Sequence, residues 1–172
     1  MKKALVSILI MVFLCSTCFA ADERVLVLKS LKEVQNVTEV GVTYVDYSRA
    51  LQKVNLTIKE YLKTHPQNDQ FVKLVDDTWL DYEVALSTWT MFRNSSIPFI
   101  VNGESLECRE HLPQAIKICS NLIEGYPEFN VFQIKDLPGA SKTLVRSDVL
   151  SVIWSHASKK IAKLEALARA TK

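Results

Sequence analysis

The chain has 172 residues, 48% of them hydrophobic, and carries 21 Lys and Arg against 19 Asp and Glu. That length suits one domain with one core. Four glycines in the whole chain are few for a sandwich, a barrel or a nucleotide-binding α/β fold, all of which use glycine at turns, so the composition points to helices.

The N-terminus has the three parts of a secretory signal. Lys2 and Lys3 are followed by the apolar run Ala4 to Leu14, and small residues then lead to Ala20 and the polar stretch that begins at Ala21. We expect cleavage after Ala20, with residues 1–20 as signal, residues 21–172 as a single helical domain, and a periplasmic or secreted destination. Two other fates use the same residues. The uncharged stretch Ala4–Ala21 is just long enough to stay as a membrane anchor, and Cys18 is a lipidation candidate, although Cys15-Ser16-Thr17 matches the usual Leu-small-small pattern poorly. Loss of Lys2 and Lys3 leaves 19 basic and 19 acidic residues. A formally neutral chain has no global footprint for nucleic acid, which requires excess cations to displace phosphate counterions.

Val37, Val40, Tyr44, Tyr47, Leu51, Val54, Ile58 and Tyr61 follow a 3-4-3-4 spacing, which predicts one long helix. A strand over Thr38–Tyr44 competes with it, and Gly41 inside a helix costs about 1 kcal/mol relative to alanine. The longer pattern prevails, and the helix is expected over about 25–64 with a start as early as Glu23. Thr64–Asp69 reads as a short connection with Asn68 as the N-cap. A second helix over about 68–94 carries Phe71, Val75, Thr78, Tyr82, Ala85, Trp89 and Phe92 on one face and Asp76, Asp77, Asp81 and Glu83 on the other. So short a loop makes the two helices antiparallel neighbours.

Beyond residue 95 the pattern is less regular. Ile97–Gly103 reads as a short extended run closing in an Asn-Gly turn, Phe129–Ile134 as a second extended segment, and Asp136–Ser141 as a turn. Between them Leu112, Ile116, Cys119 and Ile123 have helical spacing, with Pro113 tolerated in the first turn and Gly125 and Pro127 as the stop. A last helix starts at Ser147, with Leu150, Ile153, Ala157, Ile161, Leu164 and Ala168 as its stripe and Lys159, Lys160, Lys163, Arg169 and Lys172 loading its second half. The expected fold is therefore mainly α: an antiparallel helical hairpin plus two further helices in a bundle-like arrangement, with at most a short two-stranded extended element in the middle section.

Cys108 and Cys119 remain once residues 1–20 are gone, and in an oxidising compartment they are expected to form a disulfide. On one straight helix their Cα atoms would be about 16 Å apart, too far to bridge, but Pro113 offers a break. His65, His111 and His156 stand in no zinc-protease or haem-attachment pattern. Asp77 and Asp81 share a helix face without the Glu-x-x-His partners of bundle metal sites, so neither a metal nor another cofactor is expected. The sequons at Asn36, Asn55 and Asn94 fall in a chain whose Lys-Lys signal is bacterial in style, and are read as chance. Tyr44, Tyr47, Trp79, Tyr82 and Trp89 make the hairpin rich in aromatic residues, suited to a core or to a groove for an apolar ligand. Lys159, Lys160 and Lys163 are the candidate contacts of a membrane-surface helix, or complements to the helix C-terminus and the acidic second helix.

Cys15 and Cys18 form a Cys-x-x-C after an apolar run, and Ser96–Gly103 resembles the loop and strand around the cis-proline of thioredoxin-like oxidoreductases. The resemblance implies Cys15 as attacking thiol, Cys18 as resolving thiol and Pro98 as the cis-proline. Leu14 replaces the family's aromatic residue, and no βαβ pattern follows. The reading that accounts for most of the chain is an exported, disulfide-stabilised helical binding or scaffold protein without catalytic activity. Its expected partner is another envelope protein or an apolar small ligand. A thiol-disulfide oxidoreductase and a membrane-surface protein are the alternatives.

Overall fold

The structure is a computed structural model and describes residues 23–94, 97, 98, 100–108, 113–130 and 142–170. Cys15, Cys18 and His111 lie outside them. Helix α1 covers residues 23–39, with Val27, Leu31 and Val34 fully buried at helical spacing. Helix α2 is Tyr44–Thr64, α3 is Gln70–Arg93, α4 is Pro113–Gly125 and α5 is Arg146–Ala170. Strands β1 (Ile100–Val101), β2 (Ser105–Cys108) and β3 (Lys142–Val145) form one antiparallel sheet in the order β1-β2-β3.

The single long helix expected over 25–64 is two helices. Gly41 has φ +81°, a conformation disfavoured for residues with a Cβ. Thr43 then caps α2: its side chain accepts from the Asp46 amide and its hydroxyl donates to the Asp46 carboxylate at 2.7 Å. The Asp46 carboxylate, in the first turn, also complements the positive end of the helix dipole. Val40, which the long spacing placed on the buried face, is 85% exposed. The periodicity runs through the turn only because residues 40–43 happen to preserve its count.

Four helices alternate in direction. Arg24 on α1 pairs with Asp69 at 2.7 Å, so α1 starts beside the α2–α3 connection. Tyr44 at the start of α2 meets Thr90 and is covered by the Arg93 guanidinium at the end of α3. Arg146 opens α5 over Trp89, and Lys160 and Glu165 further along reach Asp81 on α3 and Lys32 on α1. The mainly α, bundle-like expectation therefore holds, with α1, α2, α3 and α5 as the bundle. Its core joins Tyr47, Ile58, Phe71, Val75, Tyr82, Phe92, Ile153 and Ile161.

Between α3 and α5 the chain makes an excursion that contains the sheet, α4 and a 3-10 turn at Pro127–Asn130. Asn102 and Gly103 have φ values of 52° and 68°, as a type I′ hairpin turn requires. Glu104 N–H returns to Val101 O at 3.0 Å. Among the described residues the middle section has three strands; of the expected extended segment Phe129–Ile134, Phe129 and Asn130 belong to the 3-10 turn and the rest lies outside the described residues. Lys142–Val145 pairs instead, placing buried Leu144 opposite buried Leu106. The α3 cap is Asp69 rather than Asn68, accepting from the Phe71 and Val72 amides. Helix α5 begins at Arg146, one residue before the expected cap Ser147, because the Arg146 amide is already bonded to Glu104 O at 2.7 Å.

Two glycines make opposite predictions. A Cβ at Gly41 meets nothing within 4 Å, so Gly41→Ala acts through backbone strain alone and should cost about 1 kcal/mol in urea unfolding. Gly125 lies at the end of α4 with open space and no positive φ, and Gly125→Ala should stabilise by about 0.5 kcal/mol.

Candidate functional site

The aromatic residues that suggested a ligand groove fill the core instead. Tyr47 and Tyr82 have no exposed surface, and Trp79 and Trp89 are 5% and 8% exposed. Tyr44 is half-buried at the bundle end, edge-on to Trp89 at 5.9 Å. Trp154 of α5, which the sequence pattern did not single out, completes this cluster against Tyr47 and Trp89. Burial raises the hydroxyl pKa values of Tyr47 and Tyr82 well above the usual range, so both rings sit in the core as neutral phenols. Tyr47 donates to Tyr82 O at 2.9 Å.

The lysines are largely used within the bundle. Lys160 stands 2.7 Å from the Asp81 carboxylate, which is itself buried, and donates to Asp77 O at 2.9 Å. The pair with Asp81 is an ion contact whose angle falls outside hydrogen-bond geometry. Tyr126 donates to the other Asp81 oxygen at 3.1 Å, and burial, followed by the Asp81 charge, pushes that phenol up. Lys159 lies 3.3 Å from Glu128, whose carboxylate also faces His156 Nε2 at 2.6 Å. Lys163 is exposed. These contacts lock the 3-10 turn onto α5 and α3, so one face of the basic helix is turned inward. Asp77 is exposed while Asp81 is not, and no three ligating groups meet in a possible metal site among the described residues.

Cys119 on α4 is 5% exposed, and α4 packs on β2, the strand that ends at Cys108. Pro98 lies in a turn, no peptide bond among the described residues is cis, and their three short antiparallel strands contain no βαβ unit. No helix among those residues is long and apolar enough to cross a membrane.

A concave feature among the described residues lies elsewhere, between α1 and α2. Glu23, Leu26 and Val27 from α1 face Thr57, Glu60, Tyr61, Lys63 and Thr64 from α2 across a groove of about 430 Å³. That size falls in the range of small-ligand sites. Tyr61 is 5% exposed, and its hydroxyl lies beside the Arg24 guanidinium, which hydrogen-bonds it. Burial raises its pKa; the nearby Arg24 guanidinium opposes that, and the Asp69 and Glu23 carboxylates reinforce it.

One end of the groove is closely packed. His65 stacks on Tyr61 with ring centroids 4.0 Å apart, its Nδ1 lies 3.0 Å from Tyr61 O, and its Nε2 lies 3.1 Å from Glu23. Arg24 is held by Asp69 and covers the Phe71 ring. The periodicity had marked Tyr61 as a core position and contained nothing that marked a groove. The groove exists because residues 40–43 reverse the chain and set α1 beside α2, a contact that one continuous helix excludes.

Two measurements probe the polar junction. Lys160→Met strands the buried Asp81 carboxylate and should cost about 2–3 kcal/mol, discounted from the fully buried case because Lys160 is partly exposed. Asp81→Asn keeps an acceptor for Tyr126 and leaves the ammonium able to reach water, so it should cost less, about 1 kcal/mol. Glu128 is held down to about 2, from 4.5, by its own backbone amide first and then by His156 and Lys159. A depressed carboxylate stabilises the fold above its unfolded value, and that contribution is lost as pH falls through the folded one. Thermal unfolding between pH 4.5 and 2 should therefore be steeper in pH for the wild type than for Glu128→Gln.

Comparison of the chain with protein-family models, with curated proteins and with solved structures finds no match in any of the three.

Proposed function

We propose that the protein is an exported helical binding protein without catalytic activity, and that the α1/α2 groove is where it binds a small ligand with an apolar body. The groove itself carries this reading. It joins an apolar floor of Leu26, Val27 and the Tyr61 ring to a rim of two carboxylates, a lysine and two threonine hydroxyls. Largely apolar, pre-formed clefts with a few polar groups are the usual architecture of small-molecule sites.

The remaining parts of the proposal rest on the sequence. Removal of residues 1–20 would leave Ala21 two residues ahead of the groove residue Glu23. A Cys108–Cys119 disulfide would tie β2 to α4, elements that already pack together, and would contribute about 3 kcal/mol on the loop-entropy account.

The reading is tested by adding 1-octanol to the purified protein and following amide shifts by NMR. Shifts should cluster at Leu26, Val27, Thr57 and Tyr61 and vanish in Leu26→Arg. Leu26 is 55% exposed, so arginine can fill the groove without entering the core. Unchanged shifts in that variant would place binding elsewhere and remove the proposal. Intact mass with alkylation addresses the rest: the expected product starts at Ala21, takes up no alkyl group before reduction, and takes up one at each of Cys108 and Cys119 after it. An alkylated, unreduced product would refute the disulfide.

A further inference from the structure

Helices α3 and α5 lie along each other, with Lys160 donating to Asp77 O at 2.9 Å and standing 2.7 Å from Asp81. Beside that contact the outer strips of the two helices carry opposite charge. On α3, Asp76, Asp77 and Glu83 are exposed with one lysine, Lys73, and Leu80 between them is 56% exposed. On α5, Lys159, Lys163 and Arg169 are exposed, and the acid among them, Glu165, is half-buried and paired with Lys32 on α1. We infer that this face binds a second copy of the chain about a two-fold axis, the acidic strip of each copy lying on the basic strip of the other.

The charges are open to such a partner. Lys160 is used inside the bundle, but Asp76, Asp77, Glu83 and Lys163 form no ion pair among the described residues. Lys159 reaches Glu128 and Arg169 reaches Glu165, each at 3.3 Å and with the cation largely exposed. Pairs this open are worth little within the chain. The two strips therefore lie side by side without neutralising each other. A helix laid on the α3 strip is favoured when it is basic, and the chain carries such a strip one helix away. Because the strips are adjacent, a single two-fold rotation makes both complementary contacts at once, the self-matching that an isologous dimer requires. The same rotation turns Leu80 toward the α5 strip of the second copy. Ala162 and Ala166 are exposed between the cations there, and short side chains leave room for a large apolar one.

Sedimentation equilibrium of the purified protein tests this. A dimer with a micromolar Kd is expected at low salt, weakening about tenfold between about 50 and 500 mM NaCl. Asp76→Lys with Glu83→Lys reverses the α3 strip, and Lys163→Glu with Arg169→Glu reverses the α5 strip. Each substitution counts twice in a two-fold interface, so either double variant alone should self-associate about thirtyfold more weakly. An unchanged circular dichroism spectrum shows that each variant folds. An equimolar mixture of the two should associate again, to within about threefold of the wild type, because every basic strip then meets an acidic one. Adding Leu80→Ala to both should weaken that mixed dimer about fivefold. A chain that stays monomeric at about 200 µM overturns the inference. So does a dimer that both reversals leave intact, or a mixture that fails to associate. A monomer whose basic strip binds phosphatidylglycerol vesicles, with the α5 reversal abolishing it, assigns that strip to a membrane surface and equally overturns the dimer. A monomer that binds polylysine through the α3 strip assigns that strip to a foreign basic partner, with the same consequence.

Discussion

The reversal of the chain at residues 40–43 is the constraint on which the rest of the structure depends. Gly41 adopts a left-handed backbone and Thr43 caps the helix that follows, and together they convert one amphipathic run into two packed helices. With one long helix in that place, Val27, Leu31 and Val34 would lack the wall they are buried against. Nor would Glu33 meet Lys53, which it does at 2.9 Å. The groove is a by-product of the same reversal, since its two sides come from the two halves of that run.

The second organising element is the polar seam along α3. Asp81 is buried within a helix whose neighbouring turns bury Thr78, Tyr82 and Ala85. Its position is tolerable because Lys160 approaches from α5 and Tyr126 from the excursion. A buried charge kept by partners from two different elements specifies geometry more than it adds stability, because desolvation offsets most of the attraction. Helices α3 and α5 could slide by a turn and still bury apolar surface, but only one register joins Lys160 to Asp81 and sets Glu128 against His156.

Much of the bundle is legible in the order of residues. The stripes of α2, α3 and α5 and the helical spacing around Cys119 follow from their periodicity, and the Asn-Gly hairpin follows from its turn residues. What escapes that reading has physical causes. The stripe from Val37 to Tyr61 continues across a turn that preserves its count, so spacing outweighs the two local signals, Gly41 and the Thr43 cap, that contradict it. Lys142–Val145 has no alternating pattern strong enough to mark a strand, and pairs because Leu144 meets Leu106. The site was less legible than the fold. Aromatic and basic composition pointed to residues that the bundle uses internally, whereas the groove depends on Leu26 and Val27 lying beside Thr57 and Tyr61, a proximity no local motif encodes.

The ion pair between Lys32 and Glu165 joins residues 133 positions apart, and it shows when the core can close. Helix α5 provides Ile153, Ala157, Ile161 and Leu164 to the interior, and it is the last of the described elements. Until its 25 residues are in place, Trp89 lacks Trp154 and Asp81 lacks its cation. Without α5 the other helices are thus an open half-bundle, and final assembly waits on that helix. Long-range closure of this kind slows folding.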